Sequence, residues 1–165
     1  MKYFKLDVVQ RKELMQSLAG IKTVLFENFA SLTRARAQAP GPENAFSPVE
    51  QVWHLADLER EGFGLRIRLL QAGQNPRLPD FDGDRIARER NYRSLSLMTG
   101  LKAFEKARDA NLAYLQTLSA EDWLKMGTQE GVGEISLCDM PVFMHQHDLA
   151  HVDEIQAWKG FAARQ

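Results

Sequence analysis

The apolar residues Leu14, Leu18, Ile21, Leu25, Phe29 and Leu32 recur in alternating steps of four and three. That spacing puts them on one face of an α-helix and excludes the two-residue alternation of a strand. It predicts a long amphipathic helix from Leu6 to about Ala37. Ala39-Pro40-Gly41-Pro42 ends it, because proline cannot continue a helix and pushes the preceding residue out of the helical region. A helix with one apolar stripe must bury it against another layer, so the rest of the chain decides the fold class.

Ser47-Pro48-Val49-Glu50 starts a second helix: serine is placed to cap, proline suits the first helical position and Glu50 completes a capping box. It is expected to run to about Ala72, before Gly73. Asn75-Pro76 and Leu78-Pro79-Asp80 then open a polar connection to about Ser94, with room for one short helix. A third helix is expected from about Leu95 to Leu118, with Leu97, Leu101, Phe104, Leu115 and Leu118 on its stripe and Gly100 near its start. Gly127 to Gly133 reads as a loop, and a fourth helix begins near Ser136 or Asp139, carries Pro141 in its first turn and stops at Gly160. Four long helices without a convincing strand pattern give an all-α fold, a four-helix bundle filling residues 1–165 as one domain. The two long connections argue against simple up-down-up-down hairpins.

A chain of 165 residues can bury roughly two thirds of its unfolded surface, so this core needs no staple. The net charge of −1 supplies no general pull toward nucleic acid or anionic lipid, and neither is an expected partner. One cysteine, Cys138, allows no internal disulfide. The opening MKYFKLDVVQRKEL is interrupted by charges, unlike a secretory signal, and no run of 18 apolar residues occurs; a cytoplasmic, non-membrane protein is expected.

His147 and His151 lie four residues apart in the fourth helix, one above the other on one face, where two imidazoles can chelate one ion. Four histidines scattered at random over this length would produce such a pair about 7% of the time, so spacing alone is weak. The face adds weight. Met140, Met144, His147, His151, Ile155 and Trp158 trace the apolar stripe, and His54 shares an inward line with Leu58, Leu65 and Leu69 on the second helix. Burying three imidazoles unpartnered would cost a few kcal/mol, roughly, which a shared ion removes by using their lone pairs. The competing explanation is three core histidines, each bonded to its own neighbour. His145, offset by two residues, turns about 160° away from His147 and is expected to face solvent or a neighbouring subunit.

Glu50, Asp57 and Glu61 fall one to two turns from His54 and are available as acceptors for its free N–H, although Glu59 and Glu61 fit a solvated acidic strip better and Glu50 has its capping role. Three histidines from two helices leave a coordination position open, as catalytic sites do. All-imidazole ligation suits zinc or nickel, with iron, manganese and cobalt less favoured. Such an ion would make a nucleophile of a bound water or thiol at neutral pH.

Two segments, Ser47-Pro48-Val49-Glu50-Gln51-Val52-Trp53-His54-Leu55-Ala56-Asp57-Leu58-Glu59 and His147-Asp148-Leu149-Ala150-His151-Val152-Asp153-Glu154-Ile155, resemble the DinB-like superfamily of metal-binding helical bundles, whose relatives include bacillithiol-, mycothiol- and glutathione-linked transferases. Asn91-Tyr92, the stretch from Phe104 to Arg108 and the glycine loop extend the likeness from about residue 6 to residue 160. The resemblance implies the bundle and a metal held by His54, His147 and His151. Where the family often has glutamine, this chain has Glu154.

The expected function is a metal-dependent transferase or hydrolase in which the ion activates a low-molecular-weight thiol or water against a small electrophile. Glu50, Asp57 and Glu154 are the candidate general bases. The alternatives are a stress-associated metal protein without turnover and a small-molecule binder without metal. Arg85, Arg88, Arg90 and Arg93 form a cluster that suits either an anionic substrate group or, more readily, a solvated face offset by Asp80, Asp82, Asp84 and Glu89. Cys138 reads as a small packing residue. A homodimer is expected, since Trp123, Trp158 and Phe161 are more large aromatics near helix ends than one core readily absorbs.

Overall fold

The computed structural model describes residues 5–165; the first four residues of the charge-interrupted opening lie outside it. The chain runs α1 (Val8–Phe29), α2 (Arg34–Ala37), α3 (Pro48–Asp57), a π-helical turn (Leu58–Phe63), α4 (Gly64–Ala72), β1 (Arg77–Leu78), α5 (Gly83–Glu89), α6 (Leu97–Gln116), β2 (Met126–Gln129), β3 (Gly133–Ser136) and α7 (Asp139–Ala162). The four long helical units are α1, the continuous α3–π–α4 rod, α6 and α7.

Local chemistry sets their ends. Asp7 accepts from the Gln10 amide at 2.8 Å while Gln10 accepts from the Asp7 amide at 2.9 Å, which starts α1 two residues later than expected. The predicted capping box forms at α3, where the Ser47 amide donates to Glu50 at 2.8 Å. Ser96 caps α6 through the Thr99 amide. Gly160 does not stop α7, which continues to Ala162 because nothing at that glycine turns the backbone left-handed.

α3 packs on α6, α6 on α1 and α1 on α7. Of the chain-adjacent long units, the rod and α6 lie side by side, whereas α1 and the rod, and α6 and α7, stand diagonally, so the chain crosses the bundle twice and the rod carrying His54 becomes the spatial neighbour of α7. Ile21, Leu25, Phe29, Val52, Leu55, Leu101, Phe104, Ile155 and Trp158 fill one part of the core. Leu18, Phe63, Ile67, Leu70, Leu115, Trp123, Met140 and Met144 fill the other. Along α7 the histidines fall between the two.

Two expectations fail here. Leu65, expected inward, is 40% exposed. The π turn, in which the Glu59 carbonyl accepts from the Gly64 amide five residues on, inserts one residue into the helical count. Everything after it rotates by about 100°, so Ile67 and Leu70 take the inward places at 0% exposure. The second failure is a three-stranded sheet in the order β1-β2-β3, with β1 parallel and β3 antiparallel to β2. Met126-Gly127-Thr128-Gln129 has no alternation of hydropathy to betray it. Gly127 allows β2 to pass close to the core, because a Cβ there would lie 2.7 Å from Leu70 and 2.9 Å from the Pro76 carbonyl.

Trp123 and Trp158 are buried in the chain's own core at 5% and 3% exposure, with the Trp158 indole donating to the Ala39 carbonyl at 2.8 Å. Two of the three aromatics of the surplus are thus absorbed by the chain's own core, and Phe161 is half-buried. Cys138 is buried in the same part of the core as Trp123. Among the described residues no helix is long and apolar enough to cross a membrane.

Candidate metal centre

α3 and α7 bring His54, His147 and His151 together, with one nitrogen from each ring lying within 4.8 Å of the others. His54 Nε2 and His147 Nε2 are 3.3 Å apart. Two imidazole nitrogens held by one tetrahedral ion at 2.0–2.1 Å would be about 3.4 Å apart, so the pair is spaced as ligands are. His145 is half-buried and takes no part in the cluster.

The rings sit in an aromatic box. Phe46 and Phe81 lie 5.6 and 6.0 Å from His54 and Phe63 lies 6.0 Å from His147, centroid to centroid. Gly83, at the start of α5, lies directly against His54, where a Cβ would come within 2.7 Å of Nδ1. His54 Nδ1 is buried with no hydrogen-bond partner among the described residues. Burial, reinforced by His151, lowers the His54 pKa from 6.5 to about 4. Burial and the neighbouring His151, His54 and Arg108 lower that of His147 to about 3. Both rings are neutral at physiological pH, with lone pairs free for a ligand bond.

Those shifts set a sign for stability. In the unfolded chain the same rings titrate near 6.5, so between pH 6.5 and about 4 the unfolded state binds more protons than the folded one. Stability is full above that window and falls as the pH drops through it. The urea midpoint of chelator-treated protein should decline steadily from pH 7 to pH 5; a midpoint flat over that range would show that the rings are not held neutral by burial.

The carboxylates stand differently from expectation. Glu50 receives the Ser47 amide and Arg93 and faces no histidine. Asp57 is 2% exposed and held by Tyr92, Arg90 and Arg60. Burial alone would raise its pKa, and those three donors hold it below the usual carboxylate range. Neither is an acceptor for His54. Glu154 is the one of the three at the site, 3.2 Å from His151 Nδ1, with the Gln51 amide oxygen at 3.4 Å from the same nitrogen. That contact with His151 lowers the Glu154 pKa despite its partial burial. With Nδ1 occupied, His151 presents Nε2 to the centre.

Glu59 overturns the acidic-strip reading. It is 1% exposed and forms a two-point pair with Arg108, at 2.9 and 3.0 Å. Arg108 also grips Asp148 at 2.7 and 2.9 Å and donates to the Leu18 carbonyl at 2.9 Å. Asn111 completes the cluster by donating to the Glu59 carbonyl at 2.7 Å. The network ties α1, the π turn, α6 and α7 together directly behind the histidines, since Asp148 follows His147. Sequence reasoning passed over it, although the gap was visible: Arg108 interrupts the stripe Leu101, Phe104, Leu112, Leu115, and Asp148 interrupts Met144, His151, Ile155.

Three of the four arginines of the cluster are held by carboxylates, and Arg88 pairs with none among the described residues. Arg85 bonds Glu89 at 3.1 Å, Arg90 bonds Glu61 at 2.9 Å and Arg93 bonds Glu50 at 3.1 Å.

A cavity of about 350 Å³ opens onto His54 and His147, walled by Leu58, Phe63, Phe81, Val132 and Phe143 together with Arg66, Asp80 and Gln129. Its size falls within the range of small-molecule sites.

In sequence, residues 12–155 match the family model described as the DinB superfamily. In structure, the chain is similar to YfiT from Bacillus subtilis, described as a probable metal-dependent hydrolase with an unusual four-helix bundle topology. The TM-score is 0.82, with 16% identity over 98% of this chain and 94% of that one, and at that identity the likeness speaks for the fold alone. No curated protein matches the chain in sequence at a significant level.

Proposed function

This chain belongs to the DinB superfamily, and from that premise we propose that it is a metal-dependent enzyme of the hydrolase or thiol-transferase type, with a divalent ion held by His54, His147 and His151. The observation that carries the reading is the convergence of three imidazoles beside a cavity, with one nitrogen of each within 4.8 Å of the others and His54 and His147, neutral through burial, at ligand spacing. A bound ion would supply Lewis acidity, lowering the pKa of a water or thiol so that the nucleophile forms at neutral pH.

The protein's own residues do the rest. Gln51 and Glu154 fix the tautomer of His151 through Nδ1. Phe46, Phe63 and Phe81 exclude water from the rings, and Gly83 leaves the space His54 needs. The two carboxylates away from the centre, Glu50 and Asp57, are engaged in capping and in holding α5. The nucleophile therefore relies on the ion for its activation. Zinc or nickel suits a three-imidazole set best. A YfiT-like hydrolase supports water as the nucleophile, and the apolar cavity wall equally accommodates a small thiol with an electrophilic partner. The enzyme is proposed to act as a homodimer in the cytoplasm with one complete centre per chain.

Elemental analysis of untagged protein should find about one divalent ion per chain. Loaded protein should then turn over activated esters, amides or thiol–electrophile pairs. Full metal content with no turnover across both substrate sets would favour the metal protein without catalysis, and absence of metal would end the proposal. Gly83→Ala tests the cradle. The added methyl collides with the His54 ring, and metal affinity should fall about ten- to hundredfold, as for other supports of a ligand, with helix content preserved in circular dichroism.

A further inference from the structure

Arg66, on α4, is an arginine only 5% exposed. Buried charges are as a rule paired, because desolvating a cation without a counter-charge is expensive. Arg108, the other deeply buried arginine here, holds two carboxylates. Arg66 holds none among the described residues. Its Nε and Nη2 both donate to a single backbone oxygen, Pro79 O, at 3.1 and 3.0 Å, and Nη1 is left over. Asp80 acts on it only from a distance, and burial lowers its pKa.

The position of this charge gives it meaning. Arg66 is part of the wall of the cavity that opens onto His54 and His147, where most of the other lining is hydrocarbon. Gln129 contributes a second unmet group to the same wall, an amide oxygen that is buried and without a partner among the described residues. Of the arginines that the sequence marked for an anion, Arg85, Arg90 and Arg93 are taken by Glu89, Glu61 and Glu50, and Arg88 does not line this cavity.

We propose that Arg66 anchors a carboxylate of the substrate, so that the centre acts on a small molecule with an apolar body and one anionic end. The inference rests on the reading of the three histidines as a reaction centre. The apolar body lies along Leu58, Phe63, Phe81 and Phe143, and the carboxylate accepts from Nη1, the guanidinium nitrogen that Pro79 leaves unused. Pro79 fixes that guanidinium in advance, so little side-chain freedom is lost on binding.

The test is calorimetric binding of 4-phenylbutanoate and of its neutral amide, which differ only in the anionic end, to zinc-loaded and to metal-free protein. The carboxylate should bind about ten- to hundredfold more tightly, the span of one charge-assisted hydrogen bond. It should do so in the metal-free protein too, which separates Arg66 from direct ligation of the ion. Arg66→Met should bind the two compounds alike, and Arg66→Lys should keep most of the preference. Equal binding of acid and amide by the parent, no binding of the acid at millimolar concentration, or an unchanged preference in Arg66→Met would each overturn the proposal. Metal content measured on the same samples tells the two readings apart: zinc at one per chain without carboxylate preference sinks only this inference, whereas carboxylate preference without zinc sinks only the metal centre.

Discussion

Arg108→Met is expected to lose about 3–5 kcal/mol of folding stability, the loss seen when one member of a buried ion cluster is removed. Against a total of about 5–15 kcal/mol for a domain, that is between roughly a fifth and all of the stability. Methionine fills much of the space, so the loss comes from charge. Glu59 and Asp148, at 1% and 3% exposure, would face each other without a counter-ion, and the Leu18 carbonyl would lose its donor. Replacing Glu59 and Asp148 by leucine in the same chain should restore much of the stability, because an apolar cluster of similar volume has no charge to desolvate. Urea titration followed by circular dichroism measures both. A single-variant loss below about 1 kcal/mol, the size of an exposed pair, would mean that water reaches the cluster.

His151→Ala carries the other large effect. It removes one of three ligand nitrogens, and metal affinity should fall by more than about a hundredfold, beyond the ten- to hundredfold usual for an outer partner. Content after dialysis should drop from one ion per chain to near zero. His147→Ala should behave the same way, and His145→Ala should retain parental content because its ring lies outside the cluster. Helix content should persist in all three, since Ile155, Trp158 and the core on either side do not involve the ion. If His151→Ala keeps its metal, the ion sits elsewhere.

The legible parts of this molecule are those governed by periodicity and capping. The stripes of α1, α6 and α7, the start of α3 at Ser47-Pro48 and the inward line of His147 and His151 follow from residue spacing, because each depends on neighbours within a turn or two. What was hidden depends on contacts across the bundle. The π turn is a register change whose one local trace is Gly62 and Gly64 flanking Phe63 in mid-helix. A Cβ at Gly64 would press within 2.8 Å of both Asn111 and the Glu59 carbonyl. Of the partners of Asp57 only Arg60 is near it in sequence; Arg90 and Tyr92 lie 33 and 35 residues away, so local spacing did not show how fully this candidate base was engaged. Arg66 carries no local signal of burial in the sequence, and it lies inside because the helix turns by one residue at the π turn.

The placing of α7 between α1 and the rod has a consequence for the order of folding. His54 and His147 are separated by 93 residues, so the pair forms only after a long loop closes, a step that is entropically uphill until distant contacts reward it. The contacts of α6 with α1 and α3 lie wholly within residues 8–116 and can form while α7 is still unattached. Docking of α7 then completes the core and the three-nitrogen centre in one event. Capture of an ion during refolding would mark the arrival of the last helix, and a chain ending before Asp139 would acquire most of its helices without ever gaining the centre.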